Sequence, residues 1–172
     1  MSLYYILMGD IIASSSYRAK ELREAFLTQV SACHAALSQH VLSPFTVTLG
    51  DEFQGVVASL RTALEAIFFL EERLLGSEPP FKLRYVAVLG EIDTPINRKR
   101  AHTMMGKGLT LARDMLTDKR RGQPRFRFDH PDKEAMEQLE RLFVVVDGLT
   151  NRWSPDDAAL IQDMIANSHN EQ

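Results

Sequence analysis

Cysteine is almost missing from these 172 residues: Cys33 stands alone. A single thiol permits no internal disulfide and no cysteine-built structural zinc site, so packing must hold the fold, and the usage suits a reducing compartment. Cys33 lies in an Ala-rich stretch with helical spacing and reads as an inert packed thiol. The five histidines show no zinc-ligand spacing. No long apolar run is present either. The N-terminal "MSLYYILMGDII" is too short to span a bilayer, and it lacks the basic start and small-residue cleavage site of a secretion signal. It reads as a buried strand, and the protein is expected in the cytoplasm, away from membranes. A G-x-x-x-x-G-K-[ST] phosphate loop, internal repeats and low-complexity linkers are likewise absent.

What is there suits one well-packed domain, with 45% apolar and 25% charged residues. The net charge of −3 hides an asymmetry. Residues 98–127 hold ten of the 20 Lys and Arg against only Asp114 and Asp118, which is +8 locally and leaves −11 for the remainder. Two readings stand: the segment attracts phosphates of a nucleotide or nucleic acid, or it is a solvated face balanced by acids elsewhere in the fold. Within it, "DTPINRKR" lacks the interleaved aromatics of a nucleic-acid arm and reads as a surface loop.

Along the chain, residues 3–12 read as a central strand, and residues 17–40 place Leu22, Phe26, Val30, Cys33 and Leu37 on one helical stripe that Ser15 or Ser16 is placed to cap. Pro44 stops further helix, "FTVTL" alternates as a strand does, and a second strand runs from Phe53 to Ala58. A helix over 60–75 ends at Gly76 and the Pro79-Pro80 pair, and "FKLRYVAVLGEI" is the next strand, with Lys82 and Arg84 turned outward. A helix near 109–116, a short strand "RFRFD" and two helices near 132–145 and 154–167 complete the chain, the last capped by Ser154 and anchored by Trp153 and Phe143. This order, βαββαβ and then αβ with a helical tail, predicts an α/β (α+β) fold. Its core is the ferredoxin-like split βαβ arrangement, an antiparallel sheet with helices on one face, over residues 1–130, with a helical extension over 131–172.

In that fold the first and third strands are antiparallel neighbours. The C-terminal end of one, at Asp10, and the N-terminal end of the other, at Asp51, then lie about 4.8 Å apart. Two bare carboxylates so close raise one another's pKa, and a hard divalent cation such as Mg²⁺ relieves them while keeping positions open for a nucleotide triphosphate. Gly9 and Gly50 precede the two acids and would let a ligand approach. Glu52 is expected to face the other side of the pleat and is a secondary candidate. The competing reading is structural: Asp51 bonds its own Gly-Asp turn and Asp10 caps the first helix.

The blocks "GDII", "TLGDEFQG" and "LRYVAVLGEI" resemble the SatD-like family of bacterial proteins, from about Leu3 to Arg127. The resemblance implies a relation to the class III nucleotidyl cyclase and GGDEF-type fold, in which acids at the Asp10 and Asp51 positions hold the Mg²⁺ of a bound triphosphate, with the Ile11 carbonyl a further ligand. It implies a homodimer as well, since such sites form between two subunits. The segment "MMGKGLTLARDML" is similar to the cyclase helix, but Thr110 and Asp114 stand where cyclases carry Asn and Arg, and Arg113 comes one position early. Leu49 replaces the first Gly of the GGDEF motif. The metal-holding pair is kept and the cyclising residues are not, which points to binding rather than turnover. Gly50, Glu52, Lys107 and Arg113 are then the candidates for nucleotide and phosphate contact. "GKG" before a helix offers Lys107 to a phosphate, with an ordinary flexible helix start as the alternative. A second function class also stands: a regulatory, DNA-associated protein using the core as a scaffold, since "RWSPDDAALIQDMIANS" resembles the first helix of a helix-turn-helix.

Overall fold

The computed structural model describes residues 2–120, 122–153 and 155–168. In chain order the elements are β1 (Leu3–Ile11), α1 (Ala19–Leu37), β2 (Val41–Thr48), β3 (Glu52–Val57), α2 (Leu60–Leu74), β4 (Leu83–Glu91), α3 (Lys107–Thr117), β5 (Phe126–Asp129), α4 (Lys133–Thr150) and α5 (Pro155–Ser168). The five strands form one sheet in the order β2-β3-β1-β4-β5. The first four are antiparallel in the ferredoxin-like arrangement the sequence predicts, and β5 adds parallel to β4. The apolar N-terminal run is the central strand β1. None of the helices among the described residues is long and apolar enough to cross a membrane.

Pleat alternation divides β1 between two cores. Leu7 and Ile11 face α1 and α2, where Phe26, Phe53, Ile67 and Tyr85 pack, while Ile6 and Met8 face α3 through Leu109, Ala112 and Leu116. The two helices of the βαββαβ unit therefore share one face, and α3 covers the other. The predicted α1 stripe is buried at Leu22, Phe26, Val30 and Cys33. Burial pushes the Cys33 thiol up to about 12, so it stays protonated and inert. α1 has no side-chain cap: Ser14–Ser16 wind into a separate 3-10 turn and Arg18 precedes the helix. α2 and α4 are capped, Ser59 Oγ accepting from Thr62 N at 3.1 Å and Asp132 Oδ1 from Ala135 N at 3.0 Å. The predicted cap Ser154 lies outside the described residues.

Pro44 sits inside β2, where the register to β3 shifts between Ser43 and Thr46. An edge strand tolerates the missing donor and the bulge. The anchor expected for the tail is divided. Phe143 belongs to α4 and packs on Phe126 and Phe128 of β5, with ring centres 4.5 and 5.3 Å away. α5 is held instead by buried Ala158 and by Gln162 Nε2 donating to the Glu72 carbonyl at 3.2 Å.

Candidate functional site

The register of β1 against β3 decides which acids meet. Asp10 stands opposite Glu52, and the Ile11 N–H donates to the Asp51 carbonyl at 2.9 Å. Paired residues of antiparallel strands project on one face. Asp10 and Glu52 therefore share the face covered by α3, and the expectation that Glu52 turns to the opposite side is overturned. Asp51 lies at the hairpin tip, outside the ladder, where its Oδ2 accepts from Ser14 Oγ at 2.7 Å. The Ile11 side chain is buried between the sheet and α1, which leaves only its backbone to the site.

Asp10 is 1% exposed. β4 sets Arg84 directly opposite it, and Arg84 Nη1 donates to both carboxylate oxygens at 3.0 and 3.2 Å. Lys119, from the α3–β5 connection, puts Nζ 3.0 Å from Asp10 Oδ2. Arg113 Nη1 lies 3.6 Å from Glu52 Oε2. Arg84 is thus turned inward to an acid, not outward. The structural alternative for the two acids is not what forms: Asp10 caps no helix, and Asp51 bonds a serine 37 residues away rather than its own turn.

Three acids, Asp10, Asp51 and Glu52, face three cations, Arg84, Lys119 and Arg113. Burial raises Asp10 above the usual carboxylate range, Lys119 and Arg84 pull it down, and the Asp51 charge pushes it up again. Burial likewise raises Glu52, opposed by Arg113 and reinforced by Asp51 and Asp10. Burial, rather than an excess of negative charge, is the main cause of both shifts.

The oxygens are of the kind a hard divalent ion takes, two carboxylates and a backbone carbonyl, while Arg84 and the largely exposed Lys119 already bond the Asp10 carboxylate. Among the described residues no three His, Cys, Asp or Glu side chains are grouped to hold a metal. Mg²⁺ needs no such trio, because it commonly takes one or two carboxylates and keeps waters.

The glycines do different work. A Cβ on Gly9 would meet the Phe53 ring at 2.5 Å, so this glycine serves packing rather than ligand approach. Gly50 turns the hairpin at φ 90 and has open space around it. Leu49, at φ 52, is 80% exposed and stands clear of the cluster.

Lys107 is the exposed first residue of α3, and with Arg113 it lines a cleft of about 760 Å³ that also takes in Gln54 and Met105. The Arg113–Glu52 pair links this cleft to the carboxylates. Thr110 Oγ1 only bonds back to the Gly106 carbonyl at 3.3 Å.

Half of the basic residues in the segment pair with acids of the fold. Besides Arg113 and Lys119, Arg120 and Arg127 pair with Asp118, and buried Arg125 grips Glu71 at 2.7 Å and Asp147 at 2.9 Å. Arg98, Lys99, Arg100 and Lys107 are exposed, and Arg121 lies outside the described residues. Sequence reasoning missed Arg84, Lys119 and Ser14. No sequence pattern marks any of the three, since the β1/β4 register that sets Arg84 opposite Asp10 is not local.

A family model described as "SatD family" matches residues 4–172. Among solved structures, the crystal structure of the guanylyl cyclase Cya2 is similar, with a TM-score of 0.47 and 13% identity over 66% of this chain and 68% of that one. No curated protein matches the chain.

Proposed function

This chain belongs to the SatD family, and we propose that it binds a nucleotide through a divalent cation seated at the β1/β3 end of the sheet. Asp10, the Ile11 carbonyl and Asp51 would hold the ion, and Mg²⁺ is the natural choice for oxygen donors beside phosphates. When bound, the ion supplies positive charge that neutralises both the carboxylates and the phosphates. Arg113, beside Glu52, would meet the phosphate tail, and Gly50 leaves the hairpin tip open to it, whereas Lys107 begins α3 at the Gly90 end of the sheet, about 20 Å along the strand from Asp10. The observation that carries this reading is the Asp10 carboxylate, 1% exposed at the end of β1 beside Glu52 and Asp51, with Arg84 and Lys119 each 3.0 Å away. A carboxylate so placed gains from a better counter-ion.

Thr110 and Asp114 offer no cation or amide where cyclases use them, so the reading is one of binding, not cyclisation. A nucleic-acid role is the weaker reading, because five basic residues of the 98–127 segment are engaged in ion pairs with acids of the same chain. Calorimetric titration of ATP and GTP with and without Mg²⁺ tests the proposal. Binding should require the metal and should be lost in Asp51→Asn, a substitution at a half-exposed hairpin tip that spares the fold. Equal binding by wild type and variant would overturn it.

A further inference from the structure

We propose that the cleft beyond the end of β1 seats the base of that nucleotide, an inference that rests on the preceding reading for the position of the phosphates. The cleft has a volume of about 560 Å³, within the range of roughly 300–1,000 Å³ usual for small-molecule sites. Ile12 and Ala13 line it. They follow Asp10 and Ile11 directly, so the cleft begins about 7 Å of chain from the carboxylate cluster. The cleft lies on the α1/α2 side with Leu74 and Phe81, so a ligand with its phosphates on the ion reaches it by passing round the end of the strand.

The lining has the chemistry of a base slot. Tyr17, Phe81 and Trp153 bring three aromatic rings to it, and flat heteroaromatics bind such walls by stacking. Glu71 and Arg125 also line it but are bonded to each other, so they add polarity without an open charge. The remaining reader is Asn151, whose amide carries both donors and an acceptor suited to the edge of a base. Its Oδ1 accepts only from the Lys82 ammonium at the exposed rim.

A neighbouring cavity of about 400 Å³ shares Ile12, Lys82, Arg125 and Asn151 with the first. The Lys82–Asn151 contact therefore divides one groove into two chambers. A base that takes over the Asn151 amide releases Lys82 and joins them. The α4–α5 connection supplies both Asn151 and Trp153, which gives the helical extension a role in recognition.

Trp153 is the single tryptophan of the chain, so its emission reports this cleft directly. Adenosine and guanosine, which carry no phosphate, should quench it saturably without metal, in wild type and equally in Asp51→Asn. Asn151→Ala, checked for its fold by circular dichroism, should weaken the quenching about fivefold, the loss of one pocket hydrogen bond. Linear, unsaturated quenching by both nucleosides, or saturable quenching untouched by Asn151→Ala, overturns the inference. Mg²⁺-dependent triphosphate binding in calorimetry with no change in Trp153 emission removes the cleft while the metal site stands. Saturable nucleoside quenching together with Asp51-independent triphosphate binding keeps the cleft and removes the metal site.

Discussion

Removing the Arg84 guanidinium should both weaken the fold and make it respond to Mg²⁺. In Arg84→Met the long apolar stem is kept and only the charge that bonds both Asp10 oxygens is lost. Breaking a buried pair by deleting one partner costs about 3–5 kcal/mol, because the remaining charge is left in low dielectric. Asp10 is 1% exposed, so it qualifies, but Lys119 stays 3.0 Å from it and keeps part of the compensation. We therefore expect a loss of about 2–3 kcal/mol, which for a chain of this size lowers Tm by roughly 5–10 °C. A divalent ion that takes Arg84's place should return most of this, since ligand at 100 times its Kd stabilises by about 2.7 kcal/mol. The assay is denaturant unfolding with a Mg²⁺ series against a Ca²⁺-free, Mg²⁺-free control. A loss below about 1 kcal/mol would show that Asp10 does not depend on this pair, and a full loss that no Mg²⁺ concentration relieves would refute the cation reasoning.

Two other outcomes follow from the same geometry. Arg125→Met should cost about 3–5 kcal/mol in urea denaturation, since it strips Glu71 and Asp147 of their buried partner and removes a cation over the Phe126 ring at 4.2 Å; a change under 1 kcal/mol would contradict it. Glu52 and Asp10 have folded pKa values above their ordinary 4.5 and 3.8, so their contribution to stability is fully present below those values and is lost as pH rises through the folded ones. Unfolding free energy measured from pH 4 to 7 without divalent ions should therefore fall less in Glu52→Gln than in wild type. Asp118, held at about 2 by Arg120, shifts the other way, and its contribution is lost only as pH drops below 3.8, outside that window. Identical slopes in the two proteins would refute the assignment.

The fold was largely legible because its signals are local. Apolar runs, one helical stripe and turn residues mark the elements of the βαββαβ unit, and that order admits few topologies. The site was legible only in part, because register is not local. Asp51 and Glu52 are adjacent, and a shift of one residue exchanges their faces. The hairpin residues 49–51 leave the ladder with Thr48 opposite Glu52, so Glu52, not Asp51, shares a face with Asp10. Arg84 carries no mark in sequence that separates an outward strand residue from one aimed at a buried acid 74 positions earlier. Charge counting left two readings for the +8 segment, and the ion pairs with Glu71 and Asp10 agree with the one in which acids of other elements balance it.

The most direct measurement is anomalous diffraction from a crystal grown with Mn²⁺ and a non-hydrolysable nucleoside triphosphate. The account predicts a single strong peak about 2.1 Å from oxygens of both Asp10 and Asp51 and from the Ile11 carbonyl, with Lys119 withdrawn from Asp10. A map with nucleotide present, no peak there and Asp10 still clasped by Arg84 and Lys119 would contradict it.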